Sequence, residues 1–336
     1  MVYDCFTFFN ELDLLEIRLN VLNEVVDKFV LVEMARTFQR KPKPLYFEEN
    51  KQRFEKFKDK IIHIKVSEVP EVIPSKLCTN GNTWQFECYQ RDCIMQGLQD
   101  AEDDDIIMIS DVDEIPEPEV IKNYIHSGNG IFCLEQKMMY YFMNNINCTY
   151  PVWRNGTRIA RFKELQNPDD FPMKDQVYWE YSKKGSCNYF RNLICPGIKN
   201  GGWHFSYCGG VDQIIKKRTS FSETNLNTEK NMSPDEILHK IYIGKDILDR
   251  KEYCYKCLKL NDSFPKYIRD NQELYSSLIL HQNLFQKIAN FFVIVNCRIY
   301  IKKGNLQRKL KQAEKSIRRT LSPCKKFVFR LLRIYK

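Results

Sequence analysis

The most constraining stretch of the sequence is a short apolar run that ends in a cluster of carboxylates. Residues 106–109 are all apolar, and Asp111, Asp113 and Glu114 follow before Pro116. An apolar run of this length, preceded by a helical pattern, is typical of a buried strand in a parallel sheet. Such sheets bind ligands outside the carboxyl ends of their strands, where these acids are expected. The stretch therefore predicts a ligand site at the end of a central strand.

Asp111 and Asp113 are predicted to bind one divalent metal ion, because a turn after the strand lets both carboxylates reach the same point. Carboxylate oxygens are hard ligands that suit Mn²⁺ or Mg²⁺, ions that also bind phosphate oxygens. His204 follows a Gly-Gly pair in an aromatic segment and is the predicted third ligand, since a neutral imidazole can complete such a site. The alternatives are a polar loop that caps the next helix and a core histidine bonded to the backbone.

Strands and helices alternate along the first third of the chain. Apolar and β-prone runs predict strands, and helical spacing of apolar residues predicts helices between them, at residues 5–9 (strand), 12–22 (helix), 29–33 (strand), 50–58 (helix), 61–66 (strand), 87–101 (helix) and 106–109 (strand). This order predicts an α/β fold with a mostly parallel central sheet flanked by helices. The sequence contains no glycine-rich phosphate loop, so a divalent ion on the acid cluster is the expected way to hold a diphosphate.

Three further side chains are predicted to contact a nucleotide or its sugar. Glu33 ends the second strand, where a ribose or base would lie, and Arg91 lies on the helix beside the acid strand, where it could neutralise a phosphate. Trp203 offers a ring on which a sugar could stack. The alternatives are an ion pair of Glu33 with Arg36, an ion pair of Arg91 with Glu87, and a place in the core for Trp203.

Several blocks of the sequence, in order, resemble glycosyltransferase family 17. The acid block reads Ser-Asp-Val-Asp-Glu-Ile-Pro, and the matching blocks are residues 4–19, 26–33, 37–38, 43–47, 90–92, 110–116, 153–157, 201–207 and 244–248. Together they cover roughly residues 3–250. So many ordered matches are far more specific than a single Asp-x-Asp.

The resemblance implies a GT-A-like fold, a nucleotide-sugar donor with UDP-N-acetylglucosamine expected, a glycan acceptor, and inversion at the anomeric carbon. It also implies that Asp111 and Asp113 serve the metal ion and the diphosphate. The chain looks like a compact member of the family without the membrane anchor and stem of its animal relatives.

The predicted reaction is a metal-dependent single displacement in which the metal neutralises the leaving diphosphate. A carboxylate must remove the proton of the acceptor hydroxyl. Asp212 is the first choice for this base, followed by Glu135 and Glu114. Replacing Asp113 by alanine is expected to abolish transfer and to leave the fold largely intact.

Two other functions use the same residues. One is a catalytically inactive protein that binds a nucleotide sugar or a glycan on this fold. The other is a metal-dependent nucleotidyltransferase or phosphohydrolase, which would release UMP where a glycosyltransferase releases UDP. The complete acid cluster together with His204 favours the glycosyltransferase.

The positive charge of the chain is concentrated at its C-terminus. The net charge is +9, and residues 302–336 contain thirteen Lys or Arg and one acid, Glu314. The rest is slightly acidic, which argues against a nucleic-acid groove in the main domain. Basic residues interleaved with apolar ones predict an amphipathic helix on an anionic membrane, broken in two at Pro323. The alternatives are a helix packed on the main domain and a disordered tail.

Two parts are predicted: a GT-A-like glycosyltransferase domain at residues 1–285 and a helical extension with a basic tail at residues 286–336. No uninterrupted apolar run of about 18 residues is present, so the sequence does not predict a spanning helix. No secretory signal pattern is recognised either. The expected location is therefore the cytoplasm or a membrane surface, where the thirteen cysteines would be reduced thiols.

Overall fold

The strands predicted in the first third of the chain form the parallel part of a seven-stranded sheet. The computed structural model describes residues 1–68, 83–166, 187–220 and 233–334. Four parallel strands are β1 (Val2–Phe8), β2 (Lys28–Met34), β3 (Ile61–Val66) and β4 (Ile106–Asp111). They lie in the order β4-β1-β2-β3, so the four predicted strands are confirmed.

Three further strands extend this sheet beyond β4. They are β6 (Phe132–Leu134), β10 (Arg158–Arg161) and β11 (Gly197–Ile198). The full order is β11-β6-β10-β4-β1-β2-β3, with β10 antiparallel to both β4 and β6 and β11 parallel to β6. The remaining pairings are parallel, so the predicted class, an α/β fold with a mostly parallel central sheet, is confirmed.

A second sheet, which was not predicted as a sheet, is formed by strands that follow the acid cluster in the sequence. Its strands are β5 (Glu114–Pro116), β7 (Gln136–Tyr140), β8 (Asn145–Asn147), β9 (Val152–Trp153), β12 (Gly202–Ser206) and β13 (Tyr255–Cys257). The order is β13-β8-β7-β12-β5, with β9 paired to β7. Because β5 begins three residues after β4 ends, the acid cluster joins the two sheets.

Helices cover both faces of the first sheet. Alternate residues of β1, β2 and β4 point into two separate buried clusters, one shared with α1 (Leu12–Leu22) and the other with α3 (Thr83–Asp92). Strands buried on both faces are apolar throughout instead of alternating, which is why their runs were visible in the sequence.

The predicted helices at residues 50–58 and 87–101 are only partly α-helical. The first is α2 (Tyr46–Glu49) followed by a 3₁₀ helix, Lys51–Phe57, and α3 continues as a second 3₁₀ helix, Cys93–Gly97. The other helices are α4 (Pro118–Ser127), α5 (Phe162–Gln166), α6 (Cys187–Arg191), α7 (Gly210–Ser220), α8 (Pro234–Tyr242), α9 (Lys266–Asp270), a 3₁₀ turn at Ser276–Leu278 and α10 (Leu284–Ile334).

Helix α10 is the predicted C-terminal extension, and it begins at Leu284, two residues before the predicted boundary. It is one helix of 51 residues that continues through Pro323, so the predicted break at that proline is wrong. A proline inside a helix removes one backbone hydrogen bond without necessarily ending the helix. Within α10, the segment Leu284–Ala313 is long and apolar enough to cross a membrane by length and composition, although polar residues interrupt its apolar run.

Candidate active site

The candidate active site lies where the strand order of the first sheet reverses. The chain proceeds from β1 to β2 and β3 on one side and returns to β4 on the other side of β1. Sheets of this kind bind ligands in the crevice at this switch point, outside the carboxyl ends of the strands. Thr7 in β1 pairs with Asp111 at the end of β4, and its hydroxyl donates a hydrogen bond to Asp111 Oδ1 at 3.2 Å. The acid cluster therefore lies at the edge where a ligand is expected.

Two buried arginines hold the Asp111 carboxylate. Arg91 Nη2 donates to Oδ1 at 2.9 Å, and Arg191 Nη2 donates to Oδ2 at 2.8 Å. The Asp111 side chain itself is 35% exposed. Burial of the carboxylate would by itself raise the pKa of Asp111, but Arg191 and Arg91 together hold that pKa below its usual value. Asp111 is therefore an anion at neutral pH with part of its surface open.

A lysine and a histidine hold the Asp113 carboxylate. Lys217 Nζ donates to Oδ2 at 2.8 Å, and His204 Nε2 lies 3.5 Å from Oδ1. Only 6% of the Asp113 side chain is exposed. Burial would raise the pKa of Asp113, but Lys217 and His204 lower it below the usual value. Conversely, burial would lower the pKa of Lys217, but Asp113 raises it above the usual value.

One buried arginine shapes the loop that carries both aspartates. Arg18 of α1 forms a two-pronged ion pair with Asp4, with Nε to Oδ2 at 2.7 Å and Nη2 to Oδ1 at 2.6 Å. Its Nη1 donates to the main-chain carbonyls of Asp111, Val112 and Glu114 at 2.9, 3.2 and 2.8 Å. Both side chains of the ion pair are fully buried. Arg18 therefore fixes the turn after β4 from behind.

The Glu114 carboxylate is fully buried and accepts three hydrogen bonds. The donors are Arg191 Nη2 at 2.6 Å, Trp153 Nε1 at 2.8 Å and the main-chain N–H of Asp111 at 3.2 Å. An acceptor hydroxyl cannot reach a carboxylate that has no exposed surface. The structure therefore places Glu114 as a positioning residue, which holds the arginine that binds Asp111, and not as the predicted base.

A cavity of about 220 Å³ opens in front of the two aspartates. It is lined by the ends of β1, β4 and β12, by the segment that follows β2, and by α3 and α7. The charged lining residues are four acids, Glu11, Glu87, Asp111 and Asp113, and four cations, Arg36, Lys43, Arg91 and Lys217. Its volume is below the roughly 300–1,000 Å³ of typical ligand pockets, so a nucleotide sugar would extend beyond it.

Four of the predicted site residues come together at this cavity: Asp111, Asp113, His204 and Arg91. Arg91 also makes the predicted alternative ion pair with Glu87, at 3.2 Å, and its contact with a nucleotide stays a prediction. The His204 ring packs against the Trp153 ring, with the two centroids 5.0 Å apart. Its Nδ1 is buried and has no hydrogen-bond partner in the part of the chain that the structure describes.

Two predicted donor-binding residues do not line the cavity. Glu33 is fully buried, where it accepts a hydrogen bond from the Phe47 main-chain N–H at 3.1 Å and lies 3.6 Å from Lys43 Nζ and 3.3 Å from His63 Nε2. Trp203 is buried in the core beside the second sheet, and its Nε1 donates to the Ser263 carbonyl at 2.9 Å. The structure therefore gives Trp203 no open ring face for a sugar, because core side chains cover it.

The other two predicted bases also lie away from the cavity. Glu135 forms an ion pair with Arg154 at 3.2 Å. Asp212 is exposed in the first turn of α7. Five residues separate Asp212 from Lys217, and a helix advances 100° per residue, so the side of α7 that brings Lys217 to Asp113 turns Asp212 away.

The predicted three-ligand metal site is not formed. In residues 1–68, 83–166, 187–220 and 233–334, no three His, Cys, Asp or Glu side chains are grouped closely enough to hold an ion. Two carboxylates on one cavity still fit Mn²⁺ or Mg²⁺, since such ions are commonly held by one or two carboxylates, with water and substrate phosphates completing the shell. Asp111 and Asp113 are therefore the residues that fit a metal ion. His204 lies beside Asp113, where it can orient the Asp113 carboxylate.

Arg18, Arg191 and Lys217 were not predicted from the sequence. Arg18 does carry a signal, because it lies on the apolar side of α1 between Leu15 and Leu22, and a charged residue on such a face needs a buried partner. Arg191 and Lys217 carry no local signal, since each reaches the acids only through the tertiary fold.

Fold and site together define an α/β domain with a charged cavity at a sheet switch point. The sequence model of glycosyltransferase family 17 matches residues 1–295, and the chain belongs to this family. The resemblance to this family, which was stated from the sequence, is therefore confirmed.

The sequence of the chain is similar to those of beta-1,4-mannosyl-glycoprotein 4-beta-N-acetylglucosaminyltransferases. The rat protein (Rattus norvegicus) is 31% identical and the human protein (Homo sapiens) 32% identical, each over 226 residues that make up 63% of this chain and 41% of the relative. The chain therefore spans about two fifths of the length of the curated relatives it matches.

Two solved structures resemble this chain more distantly. The mannosyltransferase PcManGT from Pyrobaculum calidifontis, in complex with GDP-Man and Mn²⁺, is 11% identical, with 97% of this chain and 82% of that chain covered and a TM-score of 0.36. The glucosyl-3-phosphoglycerate synthase from Mycobacterium tuberculosis, in complex with Mn²⁺, uridine diphosphate and phosphoglyceric acid, is 11% identical, with 80% and 91% covered and a TM-score of 0.29. Likenesses at these TM-scores are too distant to carry a functional argument.

Proposed function

We propose that the chain transfers N-acetylglucosamine from UDP-N-acetylglucosamine to a hydroxyl of a glycan, with inversion and with a divalent metal ion at Asp111 and Asp113. The observation that carries the proposal is the pair of aspartates at the switch point, on one cavity with Arg91 and Lys217. The names of the relatives support this donor and a glycan acceptor.

The charge balance of the cavity supports metal dependence. Four acids and four Lys or Arg line it, so the formal charges of these eight residues cancel. A diphosphate bound alone would bring an uncompensated negative charge into this crevice, whereas a diphosphate together with a divalent ion is close to neutral. A bound Mn²⁺ or Mg²⁺ would also stabilise the charge that grows on the leaving diphosphate.

The side chains of the cavity have distinct tasks in this proposal. Arg91 binds Asp111 before the donor arrives, and its buried guanidinium is aimed at the crevice, where it can bind a phosphate oxygen. Lys217 can do the same from the side of Asp113. Arg18 and Glu114 act through other residues, because they hold the aspartate loop and Arg191 in place.

The base must be a carboxylate that lines the cavity, because only such a group can contact the acceptor hydroxyl. The predicted Asp212, Glu135 and Glu114 do not line the cavity, and in the part of the chain that the structure describes the acids that do so besides the two aspartates are Glu11 and Glu87. Glu11 Oε2 accepts hydrogen bonds from the main-chain N–H groups of Phe9 and Asn10. We therefore propose Glu87, which accepts a hydrogen bond from the nearby Arg91, as the first base to test, with Glu11 second.

The test is release of UDP from UDP-N-acetylglucosamine, with Mn²⁺ or with EDTA, in the presence of an N-glycan acceptor. We expect turnover with Mn²⁺ and a loss of at least about 100-fold in EDTA. A thermal-shift screen of nucleotide sugars with Mn²⁺ identifies the donor independently of the acceptor, because a ligand of the native state raises its apparent stability. The anomeric configuration of the product reports inversion.

Each other outcome contradicts a defined part of the proposal. Turnover that is equal in EDTA and Mn²⁺ contradicts the metal ion, and release of UMP indicates a nucleotidyltransferase or phosphohydrolase. Tight donor binding without turnover on any acceptor or water indicates the inactive binding protein. For the base, Glu87→Gln should lower kcat at least about 100-fold and Asp212→Asn should not; the reverse result restores the base predicted from the sequence.

A further inference from the structure

Helix α10 presents an unpaired apolar face to solvent. Nine of the fifteen exposed large apolar residues in the described part of the chain lie on this one helix. They include Phe285, Phe291 and Phe292, which are 82%, 62% and 59% exposed. Residues 284, 288, 291, 295, 299 and 306 are spaced by three, four or seven, so they form one continuous stripe along the helix.

The opposite side of α10 is fixed to the domain by polar contacts. Asn290 is buried, and its Nδ2 donates to the carbonyls of Ile243 and Tyr255 at 3.1 and 2.7 Å. Gly244, with φ of 71°, makes room for Asn290, since a Cβ there would lie 1.8 Å from Asn290 Nδ2. Seven residues after Asn290, about two helical turns, Cys297 is also buried, and its Sγ lies 3.7 Å from Thr149 Oγ1. The apolar stripe is therefore held outwards in a defined orientation.

A basic groove runs beside the stripe. It has a volume of about 780 Å³ between α10 and the segments around residues 256–260 and 279–282, and it is lined by four cations, Lys256, Lys259, Lys287 and Arg298, with no Asp or Glu among its lining residues. Lys287 and Arg298 are eleven residues apart, about three turns, so both face the same side of α10. Phe291 and Val295 belong both to the groove wall and to the stripe.

We propose that α10 binds the surface of an anionic membrane, with its apolar stripe among the lipid chains and the groove cations at the lipid phosphates. The charge of the surface matches this occupant: besides the groove, residues 302–336 add thirteen Lys or Arg against one acid. Basic amphipathic helices bind anionic lipid by apolar burial combined with charge attraction.

The helix lies in the membrane surface and does not cross the membrane, although Leu284–Ala313 has the length and composition of a span. Crossing would pull Asn290 away from its two carbonyl partners and place its amide in hydrocarbon, which is costly. An interfacial position keeps Asn290 bonded to the domain and still buries the stripe.

The test is flotation of the full chain with preformed vesicles of phosphatidylcholine, with or without about a third phosphatidylserine. We expect binding only to the anionic vesicles and its loss at high salt. Leu284→Ser/Ile288→Ser, which changes two exposed members of the stripe, should weaken binding at least about tenfold. Lys287→Gln/Arg298→Gln should weaken it about 30-fold, since each cation near an anionic surface contributes about a kilocalorie.

Matched controls change the same residue types away from α10. Leu274→Ser/Ile194→Ser removes exposed apolar residues, and Lys58→Gln/Lys122→Gln removes exposed cations; both should bind as the unchanged chain does. Donor turnover without vesicles reports that each variant is folded. Equal flotation of the α10 variants and the controls, or equal binding to neutral vesicles, overturns the proposal. Retention after an alkaline carbonate wash overturns the surface position in favour of a span.

Discussion

The two aspartates of the acid cluster are held by different regions of the molecule. Helices α3 and α6, which pack on the first sheet, supply Arg91 and Arg191 to Asp111. Strand β12 of the second sheet and the helix α7 that follows it supply His204 and Lys217 to Asp113. The two regions therefore meet at the segment from Asp111 to Asp113, which connects β4 to β5.

The two regions differ in how easily each aspartate can change partners. Both arginines at Asp111 have a second carboxylate within reach, Glu87 at 3.2 Å for Arg91 and Glu114 at 2.6 Å for Arg191. Asp111 is also partly open to solvent. It can therefore release its arginines to an incoming phosphate without leaving a buried charge uncompensated.

Asp113 has no such freedom. Its carboxylate is almost fully buried and lies 2.8 Å from Lys217, whereas the Glu11 carboxylate lies 3.6 Å from the same Lys217 Nζ. Separating Asp113 from Lys217 would leave two buried charges poorly compensated. The comparison indicates that Asp111 is the aspartate that exchanges partners on binding, whereas Asp113 anchors the loop to the second sheet.

The largest effect is expected from Arg18, on which both regions depend. Arg18→Met leaves Asp4 buried without a cation and removes the donor of three loop carbonyls, so we expect a loss of about 3–5 kcal/mol in the free energy of unfolding. Denaturant unfolding of the purified variant measures it. Arg53→Met, which breaks a partly exposed ion pair with Asp13 and Glu16, is the matched control and should cost less than about 1 kcal/mol.

A double variant separates folding from function at this position. Arg18→Met/Asp4→Leu removes both buried charges, so much of the stability should return. Donor turnover should stay low, because the main-chain carbonyls of the loop still lack their donor. If the double variant recovers turnover as well, Arg18 does not position the aspartates.

The second effect tests the comparison directly. Asp113→Asn should lower the free energy of unfolding by about 2–4 kcal/mol, because the nearly buried Lys217 loses its 2.8 Å ion pair with Asp113. Asp111→Asn should cost about 1 kcal/mol or less, because both arginines keep a second acid. Denaturant midpoints of the two variants measure the difference. Equal losses would show that the two regions hold their aspartates equally. A loss of less than about 1 kcal/mol for Asp113→Asn would support the sequence-based expectation that Asp113→Ala leaves the fold intact.

The first sheet was predictable because its strands are long, apolar and consecutive. Strand β3 has the predicted bounds, and β1, β2 and β4 differ from prediction by a few residues. The second sheet was missed because its strands are two to five residues long, and because β12 and β13 pair with strands more than 60 residues earlier in the chain. A short run in a loop-rich segment does not show periodicity.

The same contrast applies to the site. Asp111 and Asp113 were found because they end a visible strand. The Gly-Gly pair before Trp203 is visible in the sequence, and the structure shows what it permits: Gly202 has φ of 125°, and a Cβ there would lie 2.1 Å from the Ile115 carbonyl oxygen. The three predicted bases were not brought to the cavity, because a carboxylate in a sequence does not reveal which way its helix or strand faces.

A third, smaller effect is expected at His204. His204→Gln should weaken Mn²⁺-dependent donor binding about 10–100-fold, the usual cost of removing a residue that orients a metal ligand. Its effect on unfolding should be below that of Asp113→Asn, since the amide can still donate to Asp113. Calorimetric titration of donor with and without Mn²⁺ measures both affinities. An equal loss of affinity in the absence of metal would show that His204 serves the donor itself.

The smallest effect concerns pH. Both aspartates have pKa values below the usual range, so their contribution to stability is fully present above the unfolded pKa of about 3.9 and is lost as the pH falls through the folded values. Between about pH 5 and pH 8 these two groups should therefore add no slope to the free energy of unfolding. Below about pH 4 the unfolded chain binds protons first, and stability should fall. Asp111→Asn removes one of these groups at little cost to the fold, so its unfolding free energy should fall less steeply in acid than that of the unchanged chain. Identical acid slopes would show that the two arginines do not hold Asp111 as an anion.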